Sequence, residues 1–276
     1  MRPSFDAVDD WVHGRRWVVR GRSRTFAKRR LVQGVLRSVA WPSGPEVTGG
    51  RTVSAAARPL LEALFPDRPA EHWDGIDAEL AALAAEVERR YADGRWLLRP
   101  AHWCAGRATC ELIYGIVRTR SPETVLETGA ANGHLSVYVI SALRRNGRGH
   151  LHSTDLDTRA GPLVEPEERS WWTLHVVDWK RMPRSWAAIL ATLPPLDLFF
   201  HDSDHAYTWQ KREYEDALRH LAPGGILASD DVQATYAFLD VCGAHGLKPV
   251  ILAEEWKMAA AALTPTAAGR RDSAAG

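Results

Sequence analysis

The chain has 276 residues, with 35 Lys and Arg against 34 Asp and Glu and a net charge of +1. An apolar share of 45% is that of a self-supporting globular protein and excludes a disordered or collagen-like chain. Three cysteines, Cys104, Cys110 and Cys242, are odd in number and form no CxxC pair, which argues against a secreted disulfide scaffold. No segment has the length and apolarity of a membrane span, and the first residues lack the apolar core of a signal peptide. A soluble, cytoplasmic protein is therefore expected.

Residues 1–54 read as an arm and a linker. From Trp11 to Pro45 there is no acid, while Arg15, Arg16, Arg20, Arg22, Arg24, Lys28, Arg29, Arg30 and Arg37 give a strong positive charge. Phe26, Leu31, Val35, Leu36 and Val39 fall on one helical stripe. Such an arm suits nucleic acid, an anionic surface or an acidic substrate, or is a solvated segment packed on the body. The Pro/Ser/Gly-rich stretch from Trp41 to Ser54 then reads as a linker. Ala55 to Leu64 and Ile76 to Tyr91 repeat apolar residues at helical spacing and are expected as a helical cap within residues 55–105. A third helix is expected over Ala105 to Arg118.

From Thr124 strands and helices alternate. The expected strands are Thr124 to Leu126, Leu151 to Thr154, Leu174 to Val177, Leu196 to Phe200 and Gly225 to Ala228. Helical spacing runs from the Gly133 turn to Arg144, from Tyr207 to Leu221 and from Ala234 to Cys242. Pro249 to Ala253 and Met258 to Leu263 read as a closing hairpin, and the Ala/Gly/Thr-rich tail from Thr264 reads as disordered. The pattern predicts a doubly wound α/β domain over residues 106–263, mainly parallel, with an antiparallel hairpin at its end.

Two acidic clusters follow buried-strand patterns: His201-Asp202-Ser203-Asp204-His205 and Ser229-Asp230-Asp231. In a strand-helix-strand unit the two parallel strands share one carboxyl edge, where ligands of open α/β sheets bind. Asp202, Asp230 and Asp231 are thus expected around one site, where carboxylates can share a cation. Asp230 and Asp231 can also cap the next helix, and Asp202 can bond amides of its own loop. His150 and His152 alternate on one strand and read as ordinary strand histidines.

The turn Glu127-Thr128-Gly129-Ala130-Ala131-Asn132-Gly133 follows the first core strand and opens a helix. Its glycines allow close backbone approach to a ligand. The Gly-x-x-x-Gly spacing differs from the dinucleotide fingerprint, and Glu127 suits a cationic ligand better than a phosphate, which disfavours a nicotinamide dehydrogenase. Asp155 stands where acids at the second strand of this fold hold ribose hydroxyls.

Glu127 to Ser136, Asp155, Phe200 to Tyr207 and Leu221 to Asp231 together resemble class I S-adenosylmethionine-dependent methyltransferases. Within that class the chain looks most like the metal-dependent O-methyltransferases of the catechol, caffeoyl-CoA and macrocin types and the related cephalosporin-hydroxylase-like group. The resemblance covers roughly residues 106–263. It implies that Glu127 and Gly129 lie beside the methionine moiety, Asp155 at the ribose and Asp178 near the adenine edge, with Ala131, Asn132 and Gly133 also binding the cofactor. It implies a divalent metal, Mg²⁺, on Asp202, Asp230 and Asp231. Where the catechol enzymes end this set with asparagine the chain has Asp231, as the macrocin type does, which points toward sugar or secondary-metabolite hydroxyls. His205 falls at the catalytic lysine of the catechol enzymes and becomes the expected base, with Asp202 beside it. The implied reaction is O-methyl transfer to a small molecule. Its alternatives are a methyltransferase on RNA, using the basic arm, and a binding or assembly protein that keeps the fold; homodimerisation is left open.

Overall fold

The computed structural model describes residues 52–93, 96–254 and 257–266. The basic arm, the 41–51 part of the linker and the tail beyond Thr266 lie outside the described residues. The elements in chain order are β1 Val53–Ser54, α1 Ala57–Leu64, α2 Ala70–Ala92, α3 Arg107–Arg120, β2 Thr124–Thr128, α4 His134–Asn146, β3 His150–Asp155 and β4 Trp172–Val176. They continue with α5 Met182–Leu190, β5 Leu196–His201, α6 Tyr207–His220, β6 Leu221–Ser229, α7 Ala237–Ala244, β7 Val250–Ala253 and β8 Met258–Leu263.

The eight strands form one sheet in the order β1-β7-β8-β6-β5-β2-β3-β4. Strand β8 is antiparallel to both β6 and β7, and all other pairs are parallel. This is the doubly wound, mainly parallel sheet with an antiparallel end that the sequence predicts. Parallel strands are covered on both faces, which is why β5 reads as an almost unbroken apolar run. Leu198 and Phe200 pack on one face and Phe199 on the other, all three at most 1% exposed. Burying each such side chain contributes about 2–3 kcal/mol.

One face carries α1 to α4, through Leu60, Trp73, Ile113 and Ile140 among others. Helices α1 and α2, expected as a cap, share this apolar core with the sheet. The other face carries α5, α6 and α7 through Trp186, Tyr214 and Phe238. Two features depart from the sequence reading. Val53 and Ser54, read as linker, pair with Ile251 and Leu252 as a parallel edge strand. Helix α5 was not anticipated, because among its nine residues only Trp186 and Leu190 are buried. Among the described residues, no helix is long and apolar enough to cross a membrane.

Candidate active site

The sheet register assembles the site. Thr128 pairs with His201, and His201 with Ser229. The ladder then runs one residue further: the Asp202 amide donates to the Thr128 carbonyl and the Asp230 amide to the His201 carbonyl, both at 2.9 Å. The glycine turn after β2, Asp202 after β5 and Asp230 at the end of β6 are therefore adjacent along one edge.

The glycine turn is fixed from both sides. Gly129 has φ of +85°, and a Cβ there would lie 2.0 Å from the Asp202 carbonyl oxygen. The Gly129 and Ala130 amides donate to the Thr154 carbonyl at 2.8 and 3.1 Å, and the Ala131 amide donates to Asp155 Oδ2 at 2.8 Å. Asp155 Oδ1 also accepts from the Asp157 amide at 2.9 Å. Asp155 thus ties the end of β3 to the turn. Gly133, in the left-handed region with φ of +79°, begins α4.

Glu127 is buried under the turn, with Oε2 accepting from Ser136 Oγ at 2.6 Å and Ser153 Oγ at 2.5 Å. Burial raises its pKa, and the two hydroxyls oppose the shift. Asn132 faces the protein: its side chain accepts from the Arg99 amide at 2.9 Å and donates to the Arg99 carbonyl at 2.7 Å. Its role is to pin the 98–104 segment beside the site. Asp178, set apart at the end of β4, accepts from the Lys180 amide at 3.0 Å and caps a short 3-10 turn.

The acidic residues do come together. Asp230 is fully buried; Oδ1 accepts from Thr109 Oγ1 at 3.4 Å, and Oδ2 has no hydrogen-bond partner. Burial and then Asp231 push its pKa up to about 7, against the pull of Lys257. Asp202 is held well above the usual carboxylate range by burial, then by Asp230 and Asp231. Asp231 has a left-handed φ of 49°, which turns its chain out of β6, and Oδ1 accepts from Gln233 Nε2 at 2.8 Å. His205 Nε2 lies 3.7 Å from Asp202 Oδ1 and 3.4 Å from Asp231 Oδ2. Asp204 serves its own turn, accepting from the Ala206 amide at 3.0 Å.

One participant carried no sequence signal. Lys257, at the foot of β8, places Nζ 3.6 Å from Asp230 Oδ2 and donates to the Cys104 carbonyl at 2.5 Å. Burial opposes its charge, but Asp230, Asp231 and Asp202 outweigh this and raise its pKa. The acidic neighbours thus favour the protonated form of Lys257.

Under the site, His201 Nε2 lies 3.2 Å from Glu213 Oε2. Burial lowers the His201 pKa and raises that of Glu213 to about 7, so this contact joins groups driven toward their neutral forms. His150, His152 and His175 form a separate group at the β3–β4 edge, with His152 Nδ1 3.1 Å from His175 Nε2.

The donor set fits a hard divalent ion. Three carboxylates stand at the ends of β5 and β6, close enough that Asp231 raises the pKa of Asp230 and both raise that of Asp202, and a buried oxygen of Asp230 lacks a hydrogen-bond partner. In the conformation seen, however, no three His, Cys, Asp or Glu side chains among the described residues form a ready metal cage. The nitrogens of His205 and Lys257 stand among the carboxylates instead.

Residues 126–232 match the family model described as a methyltransferase domain. No curated protein matches the chain in sequence. Among solved structures, a Klebsiella pneumoniae protein assigned as an O-methyltransferase is 20% identical, with a TM-score of 0.50 over 76% of this chain and 96% of that one. An O-methyltransferase from Bacillus cereus, solved in complex with SAH, is 14% identical, with a TM-score of 0.51 over 67% of this chain and 91% of that one. These likenesses support the fold, and the family match covers the turn, Asp155, Asp202, Asp230 and Asp231. Residues 126–232 are thus similar to a methyltransferase domain, and the chain has the fold of the O-methyltransferase structures it matches.

Proposed function

We propose that this protein transfers the methyl group of S-adenosylmethionine to a hydroxyl of a small molecule, a sugar or a secondary metabolite. The observation that carries this reading is the register that brings Gly129, Asp202 and Asp230 to one strand-end edge, with His205 against Asp202 and Asp231. The sulfonium methyl is electrophilic, so the chain must align it with the acceptor and make the acceptor oxygen nucleophilic. The glycine turn lets the backbone approach the cofactor closely, and Asp155 offers carboxylate acceptors to ribose hydroxyls.

Asp202, Asp230 and Asp231 would hold a divalent cation, magnesium by the hardness of the oxygen donors, whose chemistry there is to make a bound hydroxyl more acidic. His205 accepts the hydroxyl proton at Nε2, and Asp202 and Asp231 stabilise the imidazolium that results. Asp204 and Asp178 are occupied by local turns and take no part.

The test is methyl transfer from labelled S-adenosylmethionine to a panel of sugars and phenols, with magnesium or EDTA, in wild type and His205→Asn. A labelled methyl ether whose yield falls at least about 100-fold in His205→Asn supports the reading. Label found only on nitrogen, on carbon or in added RNA contradicts it.

A further inference from the structure

Lys257 is a charged residue at the site that neither the motifs nor the proposed chemistry uses. The Glu254 amide donates to the Lys257 carbonyl at 2.9 Å, closing the β7–β8 connection and fixing where the side chain starts. From there Nζ reaches across to two groups. It donates to the carbonyl of Cys104, just after the short 3-10 turn Ala101–Trp103, and it lies 3.6 Å from Asp230 Oδ2. That oxygen is fully buried and makes no hydrogen bond. The ammonium is thus close enough to neutralise Asp230, yet its hydrogen bond goes to a neutral carbonyl. A hard cation and this ammonium seek the same carboxylate oxygen, and two positive charges a few ångströms apart repel.

We propose that Lys257 is the built-in counter-ion of the acidic cluster and competes with a divalent cation for Asp230. Binding of the cation then displaces the ammonium from Asp230, and the charge at position 257 sets the affinity of the site. This rests on the reading of Asp202, Asp230 and Asp231 as a cation site. Lys257 acts here as a positioning residue: it holds the cluster neutralised, and tethered to the 98–104 segment, until the cation enters.

The experiment is calorimetric titration of Mn²⁺ into the full chain stripped of metal, comparing wild type with Lys257→Met, Lys257→Arg and Asp202→Asn. Loss of one nearby positive charge should tighten Mn²⁺ binding about tenfold or more in Lys257→Met, while Lys257→Arg stays within about threefold of wild type. Asp202→Asn should abolish the signal. Equal or weaker binding in Lys257→Met overturns the proposal while leaving the cation site standing. Absence of Mn²⁺ binding in both wild type and Lys257→Met overturns the proposal and the cation site together; S-adenosylmethionine binding, measured separately, still decides the methyltransferase reading. Should Lys257→Met not fold, amine labelling of wild-type Lys257, read by peptide mass spectrometry, replaces it. Labelling should rise about threefold or more with saturating Mn²⁺ as the ammonium leaves Asp230, and an unchanged or slower rate overturns the proposal.

Discussion

The carbonyl oxygen of Asp202 lies 2.0 Å from where a Cβ on residue 129 would stand, so the glycine turn and the acidic strand end are packed backbone against backbone. Only glycine fits, both for this contact and for the φ of +85°. Gly129→Ala must therefore push the two strand ends apart. We expect a loss of more than about 3 kcal/mol in stability. Any folded fraction should bind S-adenosylmethionine too weakly for calorimetry to detect. Wild-type affinity in a stably folded Gly129→Ala would refute this coupling.

Asp155 carries two backbone hydrogen bonds and, in the proposed complex, the ribose. Replacement by alanine frees the Ala131 and Asp157 amides and removes the ribose acceptor. Affinity for S-adenosylmethionine should drop about 100-fold, the worth of one or two charge-assisted hydrogen bonds. Asp155→Asn, which keeps one acceptor oxygen but loses the charge and the second acceptor, should fall between wild type and Asp155→Ala. Calorimetry distinguishes the three proteins directly.

A buried ion pair holds the 161–168 segment against the glycine turn. Arg90 donates to both Glu168 oxygens at 2.7 and 2.8 Å and to the Leu163 carbonyl at 2.9 Å. The Gly161 and Leu163 amides in turn donate to the Ala131 and Asn132 carbonyls at 2.9 and 3.0 Å. Arg90→Met removes the buried partner of Glu168, leaving it the Glu165 amide and the more exposed Arg144 at 3.5 Å, and should cost about 3 kcal/mol in denaturant unfolding. It should also weaken S-adenosylmethionine binding, although residue 90 lies outside the turn. Unchanged binding would mean that the segment does not set the geometry of the turn.

Glu213 gives a pH dependence with a definite sign. Burial raises its pKa from the ordinary 4.5 to about 7. The folded state therefore binds this proton more tightly than the unfolded chain. Its contribution is full below about pH 4.5 and is lost as pH rises to about 7, a change of about 3 kcal/mol over that window. Asp230, also raised to about 7, adds in the same direction, while His201, lowered by burial, acts in the opposite one, so the comparison with Glu213→Gln isolates the Glu213 part. In Glu213→Gln the fall in stability between pH 4.5 and 7 should be clearly shallower than in wild type. Equal slopes would show that Glu213 ionises normally in the folded protein.

Much of the fold is legible where apolar runs end in acids or glycines, because strand burial and strand-end chemistry are local in sequence. Strands β2, β5 and β6 and the hairpin β7–β8 are of this kind, and so are Asp155, Asp202, Asp230 and Asp231. What escapes the sequence depends on long-range register. Val53 and Ser54 become a strand only by pairing with β7, and α5 shows too few buried residues for a helical period. Asn132 resembles a cofactor ligand by position but is spent on Arg99. Lys257 reaches the site from a hairpin with no motif spacing to announce it, and only the antiparallel placement of β8 next to β6 brings it to Asp230.

The central claim is that the edge built by Gly129, Asp155 and Asp202 takes S-adenosylmethionine. Calorimetric titration of purified protein with S-adenosylmethionine, in EDTA and with NAD as the control, tests it most directly. The account predicts saturable, one-site binding of S-adenosylmethionine that Asp155→Ala weakens, with no heat from NAD. Binding of NAD in its place, or of neither ligand, would contradict it.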